Sequence, residues 1–179
     1  MQPPVRGKTL GVTDPETTSS YGAETVREAT LEDAEAIYAL ARDLADALGD
    51  QRPRREAVRA RLGELLEEPR ARVLVAEGED GVVGAANLWI KPDLAHGDSV
   101  LEVPMLVVSE NVRRRGVGKL LVEEIQSIAA AENVALIELV ATRENDAARA
   151  FYRSLGFVET EHIALEYIGD VQNPPDPEE

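Results

Sequence analysis

The run Arg113-Arg114-Arg115-Gly116-Val117-Gly118-Lys119 constrains this chain most, because it joins an apolar strand, Met105 to Val108, to an amphipathic helix beginning near Val117. The first turn of a helix has backbone N–H groups without intrahelical partners, and the helix dipole adds positive potential there. Gly116 is free to take positive φ, and Gly118 puts no Cβ between the amides and an approaching anion. Arg113, Arg114, Arg115 and Lys119 add diffuse positive charge. Such a junction binds phosphate, and a diphosphate group fits it best. Arginine runs also occur as plain solvated surface, but the glycines and the strand-to-helix setting argue for the anion.

The 179 residues are enough for one domain with a core of its own, and 44% hydrophobic with 30% charged residues is ordinary globular composition. The sequence has no cysteine, which excludes disulfides, thiolate metal sites and a cysteine nucleophile and agrees with a cytoplasmic location. Two histidines argue against a dedicated zinc site, so no metal is expected. No apolar run approaches the ~20 residues that span a bilayer, and the N-terminus lacks a signal-peptide core, so no membrane association is expected. A formal net charge of −15 argues against nucleic acid as a partner and favours cationic ones. The basic cluster is a local exception to that background.

Residues 1–23, with Pro3, Pro4, Pro15 and a Thr17-Thr18-Ser19-Ser20 tract, read as a flexible tail, and the acidic, proline-rich residues 169–179 read as another. Residues 24–168 form the domain. Thr30 and Asp33 match a helix-start signal, followed by apolar Ile37, Leu40, Ala41, Leu44 and Leu48, with Gly49 as the stop. A second helix begins near Pro53, carries Val58, Leu62, Leu65 and Leu66, and stops before Pro69. Strands are expected over 72–77, 82–90 and 99–108, with turns at Glu79-Asp80-Gly81 and His96-Gly97-Asp98. Pro104 has no N–H to give, so a bulge, an edge or a break is expected there. After the third helix, 134–141 reads as a buried strand, a fourth helix starts near Asn145, and 157–167 reads as the last strand. The plan is mixed α/β.

Two separated motifs then resemble those of the GNAT superfamily of N-acetyltransferases. Arg113-x-x-Gly116-x-Gly118 is similar to that family's pyrophosphate loop, preceded by Leu106-Val107-Val108. Asn145-x-x-Ala148 with Phe151-Tyr152-x-x-x-Gly156-Phe157 is similar to its carboxy-terminal helix and the strand entry after it. Val26-Arg27-Glu28-Ala29-Thr30-x-x-Asp33 resembles its first strand and helix start. The resemblance implies a mostly antiparallel central sheet with flanking helices and two splayed parallel strands, here Met105 to Val108 and Ile137 to Ala141. It implies acetyl-CoA, or another acyl-CoA, held between them. The backbone of Leu106, Val107 and Val108 would pair with the pantetheine arm, and the amides of Arg114 to Lys119, Val117 among them, would hold the diphosphate. Many relatives pair, so a homodimer is expected.

The reaction so implied is attack of a primary amine on the thioester carbonyl, which needs a neutral amine, an oxyanion donor and an acid for the leaving thiolate. Tyr152 stands where the family places that acid, and a phenol is protonated at neutral pH; the other reading is a ring packed on the helix with its hydroxyl in water. The oxyanion donor is expected to be a main-chain N–H near Leu106 or Val107. Asn145 is read either as a contact to the cofactor arm or as a plain helix cap. Glu102 is the first candidate for the base, with Glu138 and His96 behind it. Pro104 departs from the polar residue that many small-amine enzymes of the family carry near this point, which weakens transfer of the base. Tyr38 and Trp89 are candidate walls of an acceptor pocket, and Trp89 serves equally well as core.

Three functions follow. The first is an acetyl-CoA-dependent N-acetyltransferase whose acceptor is a cationic amine: a polyamine, an aminoglycoside-like compound or a protein amino terminus. The second is a module that binds acyl-CoA without turnover. A nucleotide enzyme is disfavoured, because no Lys-Ser/Thr follows the glycines.

Overall fold

Alternating apolar side chains build a sheet that is buried on both faces. The computed structural model describes residues 25–163, which divide between Val140 and Ala141 into two compact units. In the first, β1 (Thr25–Glu28), β2 (Ala71–Gly78), β3 (Gly81–Asp93), β4 (Asp98–Val108) and β5 (Leu136–Leu139) form one sheet in that order. Strands β1 to β4 run antiparallel and β5 runs parallel to β4. A parallel neighbour requires a crossover, and α3 (Val117–Ala131) supplies it. The sheet is therefore mixed, mostly antiparallel and flanked by helices, as the family resemblance implies.

Between β1 and β2 the chain makes α1 (Ala34–Leu48) and α2 (Arg55–Glu67). Gly49 closes α1 in the left-handed conformation at φ +76°, and α2 stops before Pro69. The side chains of α3 that face the sheet, Val117, Leu121, Ile125 and Ala129, pack on Leu74, Ala76, Ala86, Leu88, Leu101 and Val103. Ile37 and Leu40 of α1 and Leu62 of α2 cover the other face, on Val73, Val75, Ala85 and Val107. Leu88, Leu101 and Leu121 are wholly buried, and each such side chain contributes about 1.5–3 kcal/mol.

The irregularity expected at Pro104 is a bulge. Asn87 pairs with Met105 and Trp89 with Glu102, so Leu88 alone faces both Val103 and Pro104. The extra residue reverses the alternation along β4. Before it, Leu101 and Val103 face α3; after it, Leu106 and Val108 do, while Met105 and Val107 turn to α1 and α2.

Two expectations need correction. The buried strand foreseen over 134–141 is shorter, and Leu136 is 49% exposed. Strand β5 has β4 as its one neighbour among the described residues, and only Ile137 and Leu139 pack towards α3. The second unit holds α4 (Asp146–Ser154), and the expected last strand does not form over its described part, 157–163. Glu159 there is tied back to Arg149 at 2.6 Å and to Arg153, both on α4, and Val158 is 83% exposed. The rest of that expected strand and both expected tails lie outside the described residues.

At the start of α1 the helix signal becomes a half-buried ion cluster around the buried Asp33. Arg27 grips Asp33 with Nη1 and Nη2, each at 2.9 Å, and Glu77 with Nε and Nη2, each at 3.0 Å. The Thr30 amide donates to Asp33 Oδ2 at 2.7 Å. The Arg27 guanidinium and then the Thr30 amide hold the Asp33 carboxyl below its ordinary value of 3.8 despite burial. A lowered folded value means stability that is present above pH 3.8 and lost as pH falls through the lowered one. Asp33→Asn therefore costs on the order of 2 kcal/mol at neutral pH. In urea unfolding across a pH series, its deficit should shrink in acid; a constant deficit would refute the linkage. A second change probes the seat of α3. A Cβ on Gly84 would lie 3.2 Å from both Leu121 Cδ1 and Val117 Cγ1 and 3.3 Å from the Val107 carbonyl. Gly84→Ala should lower the urea midpoint by the equivalent of about 1–3 kcal/mol, with the slope unchanged.

Candidate functional site

The glycine-rich junction is held from both ends. After β4 the chain makes a short 3-10 turn, Glu110–Val112, and then reaches Gly116 at φ +86° immediately before α3. A residue with a Cβ is strained at that angle, which explains the glycine. Val117 is buried at the sheet, so the first turn of α3 is anchored in the core. The first helical bond runs from Leu120 N–H to Gly116 O at 3.0 Å, which leaves the amides of Val117, Gly118 and Lys119 without an intrahelical acceptor.

The four cations divide by task. Arg113 braces the loop: its Nε donates to the Val108 carbonyl at 3.2 Å and its Nη1 to Glu110 Oε1 at 3.0 Å. Lys119 lies 3.6 Å from Glu123, one turn further along α3. Arg114 and Arg115 are exposed, and Arg114 takes a left-handed φ of +61°. That conformation costs a side-chain-bearing residue on the order of 1 kcal/mol and marks a tight turn around the amides.

Beside this loop, β4 offers an edge that is open among the described residues. Its pairing with β5 ends at Val103 opposite Leu139, while β4 itself continues to Val108. Ser109 N–H donates to Val83 O at 2.9 Å, so by antiparallel alternation Val107 also bonds towards β3. The N–H and C=O of Leu106 and the N–H of Val108 point the other way, to the edge that β5 leaves uncovered. Of the three residues named for backbone pairing, Leu106 and Val108 thus present polar groups there, and Val107 is committed to the sheet.

Glu102 alternates with Leu101 and Val103 and so lies on the face opposite α3. Its register partner on β5 is Glu138, which alternates with Ile137 and Leu139 and shares that face. Lys91 Nζ donates to Glu102 Oε2 at 2.7 Å, with the two side chains 43% and 41% exposed. Trp89 and Asn87 are half-buried on the same face of β3. Tyr38 is half-buried on α1 with the Arg55 guanidinium 5.1 Å over its ring. His96 belongs to the β3–β4 turn, 2.6 Å from Asp93 Oδ2, and that carboxylate raises its pKa.

In the second unit, Asn145 Oδ1 accepts from the Ala148 amide at 3.0 Å and caps α4. Tyr152 packs between two rings, Phe151 at 5.1 Å and Phe157 at 5.6 Å. Burial pushes its phenol above the ordinary value, so the hydroxyl keeps its proton at neutral pH. Among the described residues no cluster of three or more histidines, cysteines or carboxylates is placed to hold a metal, and no helix is long and apolar enough to cross a membrane.

Lys91 escaped the sequence reading. The signal was present in the turn: with Asp93 opposite Asp98, Lys91 falls opposite Val100 and diagonal to Glu102.

Residues 69–159 match a family model described as an acetyltransferase (GNAT) domain. Solved structures share the fold. A possible acetyltransferase from Clostridium difficile 630 is 24% identical, with 82% of this chain and 97% of that one covered, at a TM-score of 0.71. A candidate acetyltransferase from Agrobacterium tumefaciens str. C58 is 25% identical, with 80% and 99% covered, also at 0.71. The ribosomal-protein-alanine N-acetyltransferase from Brucella melitensis biovar Abortus 2308 is 21% identical, with 81% and 99% covered, at 0.66. No curated protein matches the chain significantly.

The cap at Asn145 has a direct readout. Asn145→Ala removes the acceptor for the Ala148 amide and costs about 1 kcal/mol, so hydrogen exchange at that amide should quicken by about fivefold. Unchanged exchange would deny the cap any energetic role.

Proposed function

Because this chain belongs to the GNAT acetyltransferase family, we propose that it transfers an acetyl group from acetyl-CoA to a primary amine by direct attack on the thioester. The observation that carries this reading is the continuity of the open edge at Leu106 and Val108 with the unpaired amides of Val117, Gly118 and Lys119. A polar edge suits an amide-bearing arm, and the amides suit a diphosphate, so the residues present fit acetyl-CoA. When bound, acetyl-CoA supplies the thioester carbonyl.

The residues then divide the work. Leu106 and Val108 align the pantetheine arm through their backbone, as an added strand would. Arg113 keeps the loop in shape, Arg114 and Arg115 contribute charge, and of the amides from Arg114 to Lys119 those of Val117, Gly118 and Lys119 hold the phosphates, since the Arg115 amide donates to the Val112 carbonyl at 3.3 Å. Glu102 takes a proton from the acceptor amine, and Tyr152, kept protonated by burial, gives one to the departing sulfur. Asn145 caps α4 and lies seven residues, about two helical turns, ahead of Tyr152. The net charge of −15 supports a cationic acceptor, and a cytoplasmic location agrees with the absence of cysteine.

Isothermal titration with acetyl-CoA, together with thiol release over a panel of polyamines, aminoglycosides and short peptides, tests the reading. Binding with release supports it. Binding without release under the whole panel points to an acyl-CoA-binding module, and no binding refutes the reading of the loop. Tyr152→Phe should lower kcat by about a hundredfold and leave acetyl-CoA affinity within about twofold. Unchanged turnover would remove Tyr152 from the chemistry.

A further inference from the structure

Acyl transfer to an amine needs a nucleophilic nitrogen in contact with a base, and the chain already contains that pair. Lys91 Nζ lies 2.7 Å from Glu102 Oε2, on a side chain exposed enough to swing. Glu102 is two residues before Pro104, where the bulge falls and where β4 and β5 part. We propose that Lys91 is an internal acceptor, so that the protein acetylates itself at Lys91 Nζ. The inference rests on the acetyl-CoA reading above.

The composition sharpens the point. The chain has sixteen arginines against three lysines, Lys8, Lys91 and Lys119. A guanidinium does not give up its proton in a protein and is no nucleophile, so lysine is the cation that matters here. Lys119 sits at the diphosphate end of the loop and faces Glu123 at 3.6 Å on exposed helix surface. Of the two lysines among the described residues, Lys91 is the one with its nitrogen on the carboxylate assigned as base.

The step balances as follows. The Lys91 ammonium passes one proton to the Glu102 carboxylate, and the freed lone pair forms a C–N bond to the thioester carbonyl carbon. The C–S bond breaks, and CoA leaves as a thiolate that takes up a second proton lost by the nitrogen. The product is an uncharged acetamide and free CoA. Glu102 then releases its proton to solvent, and because the amide no longer pairs with it as an ion, the carboxylate becomes available to a cationic acceptor.

The test incubates the full chain with acetyl-CoA and no acceptor, and maps acetyl groups by peptide mass spectrometry over time. One acetyl group should appear on Lys91, ahead of Lys8 and Lys119, at a rate independent of protein concentration. The guanidinium-unfolded chain should lose that selectivity. Lys91→Arg keeps a cation beside Glu102 and should lose the label, and Glu102→Gln should slow it by about a hundredfold. Equal labelling of the three lysines, no labelling of Lys91, undiminished labelling in Glu102→Gln, or a rate proportional to protein concentration would each overturn the proposal. If Lys91 stays unmodified while thiol release with an added amine proceeds, the self-acetylation fails and the acetyltransferase reading stands. If acetyl-CoA does not bind, both fail.

Discussion

One extra residue in β4 organises the site. Because Val103 and Pro104 together face Leu88, β4 turns over at that point and the side chains beyond it exchange faces. The same bulge coincides with the end of pairing to β5, since Pro104 brings no N–H to the ladder. A regular strand would continue the parallel pair and bury the polar edge of Leu106 and Val108. The irregularity instead leaves that edge free, directly before the loop that offers the amides of α3.

The loop depends in turn on the packing behind it. Val117 and Leu121 rest on the bare backbone of Gly84, so the first turn of α3 sits close against the sheet. Arg113 ties the loop to the last carbonyl of β4. The helix end is therefore aimed by the core, and its unpaired amides are presented at a fixed place beside the open edge. Charge alone, in so acidic a chain, would give attraction without position. The face opposite α3 carries Lys91, Glu102 and Glu138, placed by the register that precedes the bulge.

Much of this was legible in the residues. Helix starts and stops at Thr30, Gly49 and Pro69 follow from local chemistry, and the structure places them there. The glycine-rich junction and the irregularity at Pro104 were also readable, because φ freedom and a missing N–H are properties of single residues. The partners of charged groups were not. Arg27 meets Glu77 across fifty positions of chain, and Lys91 meets Glu102 only because the hairpin register sets them diagonally. The burial expected over 134–141 and the strand expected over 157–167 both presumed neighbours, and apolar content does not specify a neighbour.

The sequence by itself determined the fold class, the loop and the helix boundaries, since these rest on interactions within a few residues and on hydrophobic period. Tertiary structure decided which face Glu102 and Glu138 share and which strand groups remain unpaired. Those outcomes depend on register between strands distant in the chain, and a shift of one residue there exchanges every side chain between the two faces.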